Sequence, residues 1–109
     1  MNELASTEIT VTFDVVWEQG KLLSATTNSQ EINHFLDLLK LTQSYNTWVN
    51  YLFDLKCFFT VIAKPPDAIT RADCLVFMQA QDQAGYADAT INRRLAAVSS
   101  LFSELTLLD

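Results

Sequence analysis

The sequence predicts an all-α domain: a four-helix bundle preceded by an N-terminal extension that either folds as a short β-hairpin or stays disordered. Three observations predict it. The chain of 109 residues holds only 2 Gly and 2 Pro, far fewer than all-β sandwiches and barrels spend on turns. From Ser29 onward the apolar residues recur at spacings of three and four, the period of a helix. A period-two pattern is confined to the first 28 residues.

In the extension, residues 1–28, Ile9, Val11, Phe13, Val15 and Trp17 alternate with Thr10, Thr12 and Asp14, as in a half-buried strand. Gln19-Gly20 reads as a turn, and Lys21–Ser24 as a short returning strand. An isolated hairpin is marginal in water, so this one must dock or be mobile.

The helical domain is expected over residues 29–109. Ser29 caps a first helix whose apolar face is Ile32, Phe35, Leu36 and Leu39. Thr42-Gln43-Ser44 interrupts it. A second helix runs from about Asn46 to Ala63, with Trp48, Leu52, Leu55, Phe59 and Ile62 on one stripe. Lys64-Pro65-Pro66 stops it, because proline has no amide donor. Thr70 caps a third helix, with Asp73 three residues on as the acidic partner of a capping box. That helix ends near Gln83, before Gly85. Asp88 is the expected cap of a fourth, whose inward stripe is Ile91, Leu95, Val98, Phe102 and Leu105.

Composition narrows the function classes. Half of the residues are apolar and 18% are charged, which excludes a wholly disordered chain. No apolar run approaches the ~20 residues of a membrane span. The start, Met1-Asn2-Glu3-Leu4, has neither the basic nor the apolar region of a secretory signal, so a cytoplasmic location is expected. Cys57 and Cys74 form no C-x-x-C pair and read as reduced thiols. The net charge is −6, which by itself speaks against a nucleic-acid partner. Residues 1–28 carry four acids and one base, a net of −3; the other 81 carry nine acids and six bases, also −3. Half of the acidity therefore lies outside the helical domain.

The fourth helix has an unusual outer face. Opposite its inward stripe lie Arg93, Ala96, Ala97, Ser100 and Glu104, flanked by Thr90 and Asn92, with Arg94 at the rim. Small side chains let a backbone approach a partner closely. The two arginines, the threonine and the asparagine suit phosphate contacts. The plain alternative is a solvated face that happens to be small. On the second helix, Asn46, Asn50, Phe53, Asp54, Cys57 and Val61 lie away from the stripe, with Thr47 at the start and Lys56 to one side. Either this surface packs on another protein, or the helix is central and buried on two sides.

Three blocks of residues resemble one family. They are Asn46-Thr47-Trp48 with Tyr51-Leu52-Phe53-Asp54-Leu55; Ile69-Thr70-Arg71-Ala72-Asp73; and Ala89-Thr90-Ile91-Asn92-Arg93-Arg94-Leu95-Ala96-Ala97-Val98-Ser99-Ser100-Leu101-Phe102. In this order and spacing, the chain from about residue 29 to 109 resembles the N-terminal core-binding domain of tyrosine recombinases and phage-type integrases. The last block is the most specific. The resemblance implies a SAM-like orthogonal four-helix bundle that forms half of a clamp around double-stranded DNA at the recombination site. It implies DNA contacts from the second and fourth helices. On this sequence those are Thr47 and Asn50, and Thr90, Asn92, Arg93 and Arg94; Lys56, to one side of the second helix, is a further candidate contact on its charge. Where family members often carry basic residues, this chain has Leu52, Phe53, Ser99 and Ser100, which implies weak binding.

In this family the strand-cleaving chemistry belongs to a separate C-terminal domain with a tyrosine nucleophile. The present chain has one histidine, His34, no H-x-x-R, and no tyrosine in a matching motif. No P-loop, zinc spacing or GxGxxG is present. No catalytic residue, metal, cofactor, small-molecule ligand or membrane is expected for this chain. The expected partners are DNA and other recombinase subunits, and the chain reads as a domain of a longer recombinase or a degenerate relative. The alternative is a non-catalytic helical module that binds proteins or itself without DNA.

Overall fold

A computed structural model describes residues 10–108 of the protein. The expectation for Ile9 lies outside the described residues. Among the described residues seven elements follow one another. Strand β1 is Phe13–Glu18 and β2 is Lys21–Thr27; helices α1 (Gln30–Thr42), α2 (Tyr45–Val61), α3 (Arg71–Gln83) and α4 (Asp88–Leu108) follow, with a single 3-10 turn at Pro66–Ala68 before α3. Among the described residues no helix is long and apolar enough to cross a membrane.

The described part of the extension folds as a hairpin, so the molecule is not purely α-helical. β1 and β2 pair antiparallel from Phe13↔Thr27 to Glu18↔Lys21. Gln19 (φ 51°) and Gly20 (φ 78°) form the connection, and two successive positive φ angles match the twist of paired strands. The register shifts between Val16↔Ser24 and Trp17↔Leu22, leaving Leu23 as an extra residue in β2. Leu22 consequently enters the core at 3% exposure, while Leu23 stays in solvent. The returning strand is three residues longer than expected. Asn33 holds its end: the Thr27 amide donates to Asn33 Oδ1 (2.7 Å) and Asn33 Nδ2 donates to the Thr27 carbonyl (3.0 Å). Asn28 makes a similar pair with the Thr12 amide and the Thr10 carbonyl.

Caps mark the helix starts. Ser29 Oγ accepts from the Ile32 amide at the start of α1. Ser44 does the same for Thr47 in α2, so a residue expected only to interrupt the chain is a cap. Thr70 and Asp73 form the expected capping box. Asp88, expected to cap α4, is its first helical residue; the Ala87 carbonyl accepts from the Ile91 amide. In the first turn its negative charge still suits the positive end of the helix dipole. Gly85, at φ 90°, reverses the chain between α3 and α4 in a conformation that penalises other residues.

Helix α2 is the centre of the molecule. Trp48, Leu52, Leu55, Phe58 and Phe59 are all buried, and Phe58 meets Phe59 at 5.2 Å and Phe77 of α3 at 5.0 Å between ring centroids. Of the two readings of its off-stripe side, the central one holds for Phe53, Asp54 and Cys57, while Asn46, Asn50 and Val61 stay exposed. Trp17 of β1 stacks on Phe53 (6.1 Å), Asp54 is 5% exposed, and α4 covers the adjoining side.

Helix α4 is rotated from its expected orientation. Its buried residues are Ile91, Ala97, Val98 and Leu101; Leu95, Phe102 and Leu105 are only partly covered. Ala97 was expected on the outer face. It is buried because α2 packs against that side, where a small side chain permits close approach of the two helices. Periodicity located a stripe, but it could not say which edge α2 would cover.

Candidate nucleic-acid interface

Between α2 and α4 runs a groove of about 200 Å³ lined by Thr47, Asn50, Tyr51, Asp54, Arg93, Ala96 and Ala97. Thr47, Asn50 and Asp54 share one face of α2 because steps of three and four residues return to nearly the same angle at about 100° per residue. Ala96, which is exposed, leaves the groove open in front of α2, and Ala97, buried at 2% exposure, lets the two helices approach beneath it.

The groove is organised by an ion pair. Arg93 Nη2 donates to Asp54 Oδ1 at 3.0 Å and Arg93 Nε donates to Asp54 Oδ2 at 3.2 Å. The two side chains differ in exposure: 57% for Arg93 and 7% for Asp54. The carboxylate therefore sits at the floor and the guanidinium at the mouth. Hydrogen bonding to Asp54, reinforced by its charge, raises the Arg93 pKa above the ordinary arginine value. Asp54 is the residue whose part the sequence concealed. The available signal was a single carboxylate in a helix with apolar residues on every side, because a charge there must find a partner.

The seven residues predicted for the interface do not converge on one spot. Thr47, Asn50 and Arg93 line the groove. The Thr47 hydroxyl accepts from Ser44 Oγ at 3.0 Å, and Asn50 is exposed. Thr90 lies one turn before Arg93 and is half-buried. Asn92 lies on the α3 side of α4, in a separate depression with Met78, Gln79 and Asp82. Lys56 is two residues beyond Asp54 and so points to the far side of α2. Its ammonium is 5.9 Å from the Phe53 ring centroid.

Arg94 is engaged inside the fold. Its Nη1 donates to Oε1 of Gln81, which is 4% exposed, and its guanidinium lies 4.3 Å from the Tyr86 ring centroid. The Cys57 thiol reaches the same Gln81 oxygen at 3.9 Å. Arg94 thus joins α4 to the end of α3. Two adjacent arginines on a helix point about 100° apart, so one can face a groove while its neighbour faces a packed helix. Among the described residues no group of three or more His, Cys, Asp or Glu could hold a metal ion. Cys57 and Cys74 are free thiols.

Comparison with family models matches residues 32–107 to the family described as phage integrase, N-terminal SAM-like domain. No curated protein and no solved structure matches the chain.

Proposed function

The chain belongs to the phage integrase N-terminal SAM-like domain family, and on that premise we propose that it is the double-stranded-DNA-binding half of a recombinase clamp. In this reading it grips the recombination site while a separate C-terminal domain cleaves and rejoins strands. It works beside other recombinase subunits and does no chemistry itself. The observation that carries the reading is the α2–α4 groove, where Thr47, Asn50 and the exposed end of Arg93 meet. A hydroxyl, an amide and a guanidinium are the groups that contact DNA backbones. Thr90 extends this edge along α4. Asn92 and Lys56 lie on its flanks, and Arg94 supports it by tying α4 to α3.

Binding by the isolated chain is weak, because few cations release few counterions. Fluorescence anisotropy with a short mixed-sequence duplex at ~50 mM and ~200 mM salt tests this. The expected result is binding at the lower salt that fades at the higher. It should also fall markedly in Thr47→Ala/Asn50→Ala, whose side chains are not in the core. No binding at the lower salt, or binding indifferent to that double substitution, overturns the reading.

One observation favours protein contact as well. The outer side of α3 exposes Leu75 (55%), Val76 (52%) and Met78 (39%), apolar surface of the kind that marks a protein-binding face. Under this second reading the chain associates with protein and leaves DNA alone. Light scattering of the chain and of Leu75→Glu/Val76→Glu separates the two. A dimer abolished by the substitution, together with no duplex binding, would replace the DNA reading.

A further inference from the structure

Asp54 and Arg93 form a pair in which only one member is open to a partner. A guanidinium has five N–H donors. Asp54 takes Nε–H and one hydrogen of Nη2. The remaining N–H groups, both on Nη1 and the second on Nη2, lie on the outer edge of a side chain that is 57% exposed. The carboxylate beneath it is 7% exposed and cannot be reached by a second cation from solvent. The pair is thus a neutral unit with a fixed, outward-facing set of donors. An arginine held this way loses less conformational freedom on binding than a free one.

We propose that Asp54 is the positioning residue of the groove: it orients the Arg93 guanidinium and offsets its charge, so that a DNA phosphate is held by directed hydrogen bonds more than by net charge. The inference rests on the DNA-binding reading above and goes past it, because an acidic residue becomes part of the contact. It also accounts for an otherwise odd arrangement, in which an acidic chain places a carboxylate directly under the cation of its phosphate site. An offset arginine discriminates by geometry and adds little to the indiscriminate attraction that charge alone supplies.

The test is the slope of log affinity against log salt, measured by anisotropy on the full chain, Asp54→Asn and Asp54→Asn/Arg93→Gln. Each phosphate neutralised by a full cation adds about 0.9 to the slope. Asp54→Asn keeps the shape and one acceptor but frees the charge. Its slope should steepen by about 0.9, with tighter binding at low salt and a smaller preference between duplex sequences. The double variant is neutral like the native pair. It should keep the native slope yet bind at least several-fold more weakly. If the double variant flattens the slope by about 0.9, Arg93 acts as a free cation and the proposal fails. If Asp54→Asn leaves the slope unchanged, it fails too. Should Asp54→Asn not fold, the native chain decides by NMR. The Arg93 Nε–H resonance should stay protected from exchange both free and duplex-bound, and loss of that protection on binding overturns the proposal. Absence of any native binding would instead remove the DNA-binding reading itself, a distinct outcome.

Discussion

The Leu22 amide donates to the Tyr45 hydroxyl at 2.6 Å, and this bond fastens the hairpin to the first turn of α2. Tyr45 also lies 5.6 Å under the Lys21 ammonium and 6.0 Å from the Trp48 ring. The Leu22 side chain, 3% exposed, fills the core beside these groups. The hairpin is therefore part of what holds the helices, though the family match begins only at residue 32.

Leu22→Ala should cost about 2–5 kcal/mol, the range for a buried leucine whose cavity is not refilled. Tyr45→Phe should cost about 1 kcal/mol, the net worth of one hydrogen bond. Urea unfolding followed by circular dichroism measures both. A hairpin that merely rests on the surface would leave the Leu22→Ala midpoint where it was.

Arg94→Ala is expected to lower stability by about 1–3 kcal/mol, because it leaves the buried Gln81 carbonyl oxygen without its charged donor. Duplex affinity per folded molecule should stay close to the native value. Comparing melting temperature with anisotropy titration separates the two effects. A large affinity loss at native stability would place Arg94 in the DNA contact after all.

Ala97→Leu tests the approach of α2 and α4. At 2% exposure there is no room for three more carbons, and overpacking of this kind costs about 1–3 kcal/mol. It should also weaken duplex binding, since Ala97 lines the groove. Ala96→Ser, at an exposed position one residue away, should change stability little.

Asp73 makes stability depend on pH. The Lys64 ammonium, which donates to its carboxylate at 3.0 Å, and the Thr70 amide at 2.8 Å hold its pKa below the ordinary value of 3.8. A carboxyl depressed in the folded state stabilises the fold above its unfolded pKa, near 4, and that contribution is lost as the pH falls through the folded value. Asp73→Asn should therefore melt below the native chain at neutral pH. The gap should close as the pH drops below about 4. A gap that persists in strong acid would mean that shape, not charge, is what Asp73 contributes.

Much of the fold was legible locally. Ser29 and the Thr70–Asp73 box announced two helix starts, the proline pair announced an end, and Gln19-Gly20 announced the turn. These signals depend on groups within a few residues of each other, so no tertiary knowledge is needed to interpret them. The candidate site was legible only in part. Thr47, Asn50 and Arg93 stand out in the sequence as polar candidates and line one groove, but nothing local marks Asp54 as the partner of Arg93 or separates Arg94 from its neighbour.

The sequence by itself determined the four helices and the membership of a recombinase-type domain family, because periodicity, caps and a contiguous motif are properties of neighbouring residues; it offered the hairpin only as one of two outcomes for the extension, and the docking of Leu22 decided it. Only the tertiary structure decided which edge of α4 meets α2, that Leu22 belongs to the core, and that one arginine faces a groove while the next binds Gln81. Those outcomes turn on contacts between residues 13 to 39 positions apart, where a helix's azimuth is set by the side chains that pack best against it and local pattern has no say.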